Sequence, residues 1–254
     1  MTIEILTIPC LSDNYAFVIT APDRGQAVVV DAPEAGPIVK ALESRGLDVT
    51  DILITHHHSD HVDGVDHLRR PTTRVVGAAA DAHRLPALDL AVAPGESFQI
   101  LGETVDVIDV PGHTRGHIAY YMPDRGALFS GDSLMAMGCG RLFEGTPEEM
   151  WSSLSALSAL PGGTLVYSGH EYTAANIRFA LTIEPKNAAL AARAAKVDAA
   201  RAAGKPTVPS RLTDELATNP FLRAALPAMK QAIDMEGETD VDVFAAIRGR
   251  KDRF

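Results

Sequence analysis

Residues 53–64, LITHHHSDHVDG, gather four histidines and two aspartates directly after an apolar stretch. In extended chain alternate side chains point the same way, so His56, His58 and Asp60 can converge on one side of this loop. His61 breaks the alternation. It begins a helix and faces a neighbouring point, so one short motif could serve two metal ions about 3.5 Å apart. Imidazole and carboxylate without thiolate suit zinc, iron or manganese. Three later strand ends each offer a further ligand: His113 in VIDVPGHT, Asp132 in ALFSGD and His170 in TLVYSGH. A glycine precedes each of them and allows the backbone a tight approach where the strand ends. A lone histidine is usually structural, but HxHxDH followed by spaced GH, GD and GH is the pattern of a metal site. His57 should point away from the ligands and be structural. His67 and His83 belong on the surface, and His117 could at most support a ligand.

These residues need strands that end at one edge. Short apolar runs (YAFVIT, AVVVDA, ILIT, VDVIDV, AYYM, ALFSGD) read as strands, some close enough for hairpins, with helices over 36–46 and 61–70. The pattern predicts an α/β fold of two layered sheets with outer helices, and a purely parallel sheet fits it less well. After Tyr172 the character changes. AALAARAAKVDAARAAG is alanine-rich and helical, ended by Gly204 and Pro206, and no convincing strand follows. The expectation is a metal-binding domain over residues 1–172 and a small helical domain over 173–254.

The formal net charge of −10 argues against nucleic acid as the main partner. No apolar run reaches the ~18 residues of a membrane span, and MTIEILTIPC lacks the features of a secretory signal. A soluble, cytoplasmic protein is expected, without a membrane partner. Cys10 and Cys139 are too few for a disulfide framework and lack CxxC spacing, so both are read as free thiols. The tail RGRKDRF sets Arg248, Arg250, Lys251 and Arg253 against the single acid Asp252, and could serve one small anion. Arg248 and Lys251 are three apart, on one face if 240–251 is helical.

THHHSDH, PGHT, SGD and SGHEYT resemble the metallo-β-lactamase superfamily, whose fold is an αββα sandwich with a two-metal site at one edge. SDNY, CGRLFEG at 139–145, NPFLR at 219–223 and the terminal RGRKDRF are similar to features of glyoxalase II, the hydroxyacylglutathione hydrolases, and the resemblance covers essentially the whole chain. It implies that His56, His58 and His113 hold one metal, that Asp60, His61 and His170 hold the other, and that Asp132 bridges them. It also implies that Arg141, Phe143, Tyr172, Arg248 and Lys251 contact glutathione. Two departures stand out. Phe143 occupies a position where the family usually has tyrosine, and Ser59 one where it usually has an apolar residue.

The resemblance implies hydrolysis of a glutathione thioester, S-D-lactoylglutathione first, to D-lactate and glutathione, as in methylglyoxal detoxification. Two divalent cations, most simply zinc, with Asp60, Asp132 and a bridging hydroxide leave the site formally at +1, ready for a developing oxyanion. No Gly-x-Ser-x-Gly or cysteine–histidine signature offers another nucleophile, leaving Cys139 as a thiol on composition alone. A monomer is expected. The alternatives are a persulfide dioxygenase of the same superfamily, against which the long helical segment and basic tail argue, and a non-catalytic metal-binding module, against which the complete ligand set argues. Flavodiiron-type reductases and exported β-lactamases fit less well.

Overall fold

The computed structural model describes residues 2–254. They fall into two compact units, the first comprising residues up to Asp109 with Gly116–Gly131, the second Val110–Arg115 with Asp132–Phe254.

The first unit holds two sheets. Strands β1 (Glu4–Cys10), β2 (Asn14–Ala21), β3 (Gln26–Val30), β4 (Asp48–Leu53), β5 (Arg74–Ala78) and β6 (Leu90–Val92) form one in that order. β1, β2 and β3 pair antiparallel, while β3 to β6 run parallel. β7 (Ser97–Ile100), β8 (Glu103–Asp109), β9 (Ile118–Met122) and β10 (Ala127–Gly131) make an antiparallel meander in the second sheet. β2, β3 and β5, and the second half of β4, are mostly apolar because both faces of that sheet are covered there. Ala16, Val18, Ala27, Val29, Ile52 and Val75 pack with Ile38 and Leu42 of helix α1 (Ala35–Glu43), and with Val65 and Leu68. The alternate residues point to the other sheet. Phe17 meets Phe129 with ring centroids 5.8 Å apart, and the buried Tyr120 hydroxyl donates to the Ile54 carbonyl at 2.9 Å.

The helix expected over 61–70 is two short turns, α2 (Ser59–Val62) and α3 (Val65–Leu68). The backbone bonds elsewhere: Ala32 N–H donates to the His61 carbonyl and Gly64 N–H to the Ala32 carbonyl, both at 2.8 Å. Those bonds tie the ligand loop to the end of β3 instead of extending the helix.

The second unit carries the hairpin β11 (Leu134–Met135) and β12 (Gly138–Cys139), the pair β13 (Leu165–Ser168) and β14 (Ser210–Arg211), and six helices among its described residues. These are α4 (Pro147–Ser158), α5 (Thr173–Ile183), α6 (Ala188–Ala202), α7 (Leu212–Thr218), α8 (Pro227–Ala232) and α9 (Asp240–Asp252). β14 corrects the expectation of no strand after Tyr172. At two residues it is too short to leave an alternating pattern, and its antiparallel pairing with Leu165 and Val166 defines it. Local chemistry sets the helix starts: Thr146 and Glu149 form a capping box with Pro147 in the first turn of α4, and Asn187 caps α6. Phe179, Phe221, Phe244 and Trp151 form a chain of ring contacts through the helical segment, with centroids 5.9–6.1 Å apart. No helix among the described residues is long and apolar enough to cross a membrane.

Phe129 is fully buried against Phe17. Phe129→Ala is expected to lower stability by about 3–5 kcal/mol, measured by denaturant unfolding.

Candidate metal centre

The ligand loop leaves β4 through Thr55, and a buried carboxylate organises it. Asp31 sits at φ +53°, accepts from Thr55 N–H at 2.9 Å and from the Thr55 hydroxyl at 2.8 Å, and faces His61 Nδ1 at 2.8 Å. The Thr55 hydroxyl, already donating to Asp31, accepts from His56 Nδ1 at 3.0 Å. Both rings therefore carry their proton on Nδ1 and keep the Nε2 lone pair for another partner. His56 Nε2 lies 3.2 Å from His58 Nδ1. Two nitrogens on one tetrahedral zinc, each about 2.0–2.1 Å from it, stand roughly 3.3–3.4 Å apart, so this spacing fits a shared ion. Ligand atoms of His56 and His61, and of Asp60 and His61, also lie within 4.8 Å of each other. Asn14 donates to both the carbonyl and a carboxylate oxygen of Asp60, at 3.0 and 3.1 Å, and fixes that side chain.

His117 stacks on His56 with centroids 4.6 Å apart and 14° between planes, its Nδ1 3.1 Å from the Ile118 carbonyl. Gly131 stands at φ +49°, and a Cβ there would lie 2.5 Å from Thr55 Oγ1 and 2.8 Å from the His117 ring. Only glycine meets both demands. His57 turns to Asp81 instead, with Nδ1 3.0 Å from one carboxylate oxygen while Arg84 donates to the other. His67 and His83 are exposed.

In the second unit Asp132 Oδ2 lies 3.4 Å from His113 Nε2 and 3.3 Å from His170 Nε2. His113 Nδ1 is 2.8 Å from the Arg141 carbonyl, an acceptor only, so Nδ1 carries a proton and in the neutral ring the Nε2 lone pair faces the carboxylate. A neutral imidazole lone pair against a carboxylate is repulsive unless a cation lies between them. The donor set fits a metal in this unit as in the first. One oxygen nearly equidistant from two imidazole nitrogens, at the spacing of donors that share an ion, can meet whatever metal those nitrogens hold.

The remaining residues lie around this second set. Phe143, largely exposed, sets its ring edge 5.3 Å from His113, and Tyr172 stacks on His170 at 4.6 Å and 8°. Arg141 is exposed and 3.5 Å from Asp252. Arg248 is buried. It donates to the Cys139 carbonyl at 3.0 Å and to Asp252 at 2.9 and 3.2 Å, over the Phe221 ring. Lys251 places its ammonium 5.4 Å from the Phe179 ring centre and 5.2 Å from that of Phe254. Burial lowers its pKa, as do Arg248, Arg178 and Arg141, against Asp252 alone. Arg178, on α5, was not foreseen, because one arginine in a helical pattern carries no mark of its role. Burial pushes the Cys139 thiol up to about 11, which keeps it protonated at neutral pH and unsuited to attack.

The family model for the metallo-beta-lactamase superfamily matches residues 11–170, and that for the hydroxyacylglutathione hydrolase C-terminus matches residues 171–254. Proteins named hydroxyacylglutathione hydrolase from Roseobacter denitrificans and Cereibacter sphaeroides are 60% and 59% identical over 255 residues, covering 100% of each chain. Among solved structures, ETHE1 from Myxococcus xanthus aligns with TM-score 0.66 at 23% identity, over 100% of both chains. The BLEG-1 B3 metallo-beta-lactamase aligns with TM-score 0.67 at 23% identity, over 86% of this chain and 99% of its own. The fold and its His/Asp cluster able to bind metal are those of the metallo-β-lactamase superfamily. Within that superfamily, the chain belongs to the hydroxyacylglutathione hydrolase family.

Asp31→Asn keeps a side chain that tolerates the left-handed backbone but weakens the hold on His61. Metal affinity is expected to fall about 10- to 100-fold, read by chelator competition.

Proposed function

We propose that the chain hydrolyses glutathione thioesters, S-D-lactoylglutathione foremost, releasing D-lactate and glutathione in methylglyoxal detoxification, as a cytoplasmic monomer. In this reading His56, His58 and His113 hold one divalent cation, Asp60, His61 and His170 hold a second, and Asp132 is shared by both. Zinc is the first choice, with iron or manganese compatible with the same donors. The observation that carries the metal reading is the placement of Asp132 Oδ2 at 3.4 and 3.3 Å from two imidazole nitrogens.

Such cations, when bound, supply Lewis acidity and a hydroxide nucleophile at neutral pH. The chain's own groups do the rest. Asp60 and Asp132 hold negative charge against the cations, and the Asn14 amide fixes Asp60. The scissile bond is a thioester, whose thiolate leaves without a strong general acid. Binding of glutathione draws on the cations around Lys251: with Arg141, Arg178 and Arg248 they make four positive groups against Asp252. That surplus favours a carboxylate such as the glycyl end of glutathione. Arg141 and Lys251 would meet it, with Arg248 lending charge from its buried position. Tyr172 and Phe143 would flank the thiol half, and phenylalanine there gives up the hydroxyl contact that tyrosine offers.

The deciding experiment is thiol release from S-D-lactoylglutathione by metal-quantified protein, beside a lactoyl thioester lacking the γ-glutamyl and glycyl groups. Strong preference for the glutathione ester is expected. No turnover of either, with metal bound, would overturn the assignment and direct attention to oxygen consumption with glutathione persulfide. His58→Ala is expected to abolish turnover and lower metal content. Lys251 loses its charge at a lower pH than an ordinary lysine, so KM is expected to rise on the alkaline side as pH climbs through its lowered pKa. Lys251→Met is expected to raise KM about tenfold with little change in kcat and to erase that alkaline dependence.

A further inference from the structure

The hairpin Leu134–Cys139 is buried at every residue. Pairing between its two strands leaves several backbone groups to be satisfied by side chains, since buried peptide groups are rarely left alone. Four side chains from distant sequence do this. Asn176 donates to the Ala136 carbonyl at 3.1 Å, and Glu215 accepts from Met137 N–H at 2.8 Å. Asn219 donates to the Gly138 carbonyl at 2.9 Å and that of Met135 at 3.3 Å, and Arg248 to that of Cys139 at 3.0 Å. Glu215 is fully buried, pairs with Arg193 and accepts from Asn219 at 3.2 Å, so two of the four are themselves joined. They hold Met137 at φ +62°, a conformation a methionine adopts only under constraint.

The hairpin leads directly to a metal ligand. Gly140 N–H donates to the Ser133 carbonyl at 3.0 Å, and a Cβ on Gly140 would lie 1.9 Å from the Asp132 carbonyl oxygen and 3.0 Å from His113 Nδ1. The next carbonyl, Arg141, is the one that faces His113 Nδ1, and Phe143 N–H returns to the His113 carbonyl at 3.3 Å. A shift of the hairpin exit would move the acceptor that selects the His113 tautomer.

We propose that Asn176, Glu215, Asn219 and Arg248 are positioning residues for His113: they clamp the hairpin, whose exit at Arg141 holds the ring with Nε2 turned outward. The helical segment then sets metal affinity as well as substrate contact. This rests on the reading of His113 as a metal ligand.

The test is Asn219→Ala in the zinc-loaded enzyme, with zinc affinity by chelator competition, kcat and KM at saturating zinc, and thermal midpoint. Zinc affinity is expected to fall tenfold or more and kcat to fall with it, while KM stays within twofold. Met229→Ala empties a buried site on α8 without removing a side-chain hydrogen bond to the hairpin, and is expected to lower the midpoint with zinc affinity unchanged. If Asn219→Ala behaves like Met229→Ala, the clamp is overturned. Should it not accumulate folded, Asn176→Ala, which removes the donor to the Ala136 carbonyl, carries the same two outcomes. Wild-type protein that binds no zinc or releases no thiol would remove the reading underneath. A normal wild type with a silent Asn219 variant would remove the clamp alone.

Discussion

A metal-binding imidazole is useful only if its far nitrogen is held. A neutral ring has one proton and one lone pair, and whichever acceptor meets the far nitrogen decides which way the lone pair points. In this protein His56 is held by the Thr55 hydroxyl, His61 by Asp31, and His113 by the Arg141 carbonyl. Those contacts also relieve the desolvation that burying so many polar groups entails. Much of the surrounding structure serves these three hydrogen bonds.

The acceptors come from different kinds of structure, and each is itself fixed. Asp31 follows β3 in left-handed backbone, and holds Thr55 and His61 together, so one carboxylate orients two rings. The Arg141 carbonyl lies on a segment held by side chains up to 109 residues away in sequence. Glycines keep both arrangements possible: Gly131 clears Thr55 and His117, and Gly140 lets the backbone pass against Asp132. A methyl group at Gly131 would push on Thr55, which bonds both Asp31 and His56, and one at Gly140 on the Asp132 carbonyl and the His113 ring.

Electrostatics divides the labour in the second unit. Arg248 has much of its donor capacity turned inward, to Cys139 and Asp252, while Arg141 is exposed and Lys251 sits half-buried among aromatic rings. One carboxylate, Asp252, answers to both Arg248 and Arg141. Burial lowers the Lys251 pKa, and the surplus of positive charge from Arg248, Arg178 and Arg141 lowers it further. The same arginine, Arg248, thus supports the hairpin and adds to the positive charge around Lys251.

Much of this was written in the order of the residues. HxHxDH and the later GH, GD and GH could be read as ligands because strand alternation and strand ends are local properties, fixed by spacing along the chain. The apolar runs of β2 to β4 and the alanine-rich α6 were legible for the same reason. The break between α2 and α3 was not, because the bonds of Ala32 to His61 and Gly64 cross 29 to 32 residues and override a helical pattern. Nor was the two-residue β14, nor the place of Arg178 beside Lys251. Asp31, Glu215 and Asn219 look like ordinary polar residues in sequence, since what distinguishes them is the buried donor or acceptor each one meets. Residue types and spacing determined which groups can bind metal. Tertiary structure alone decided which nitrogen each ring presents, because a tautomer is chosen by a partner that the local sequence does not contain.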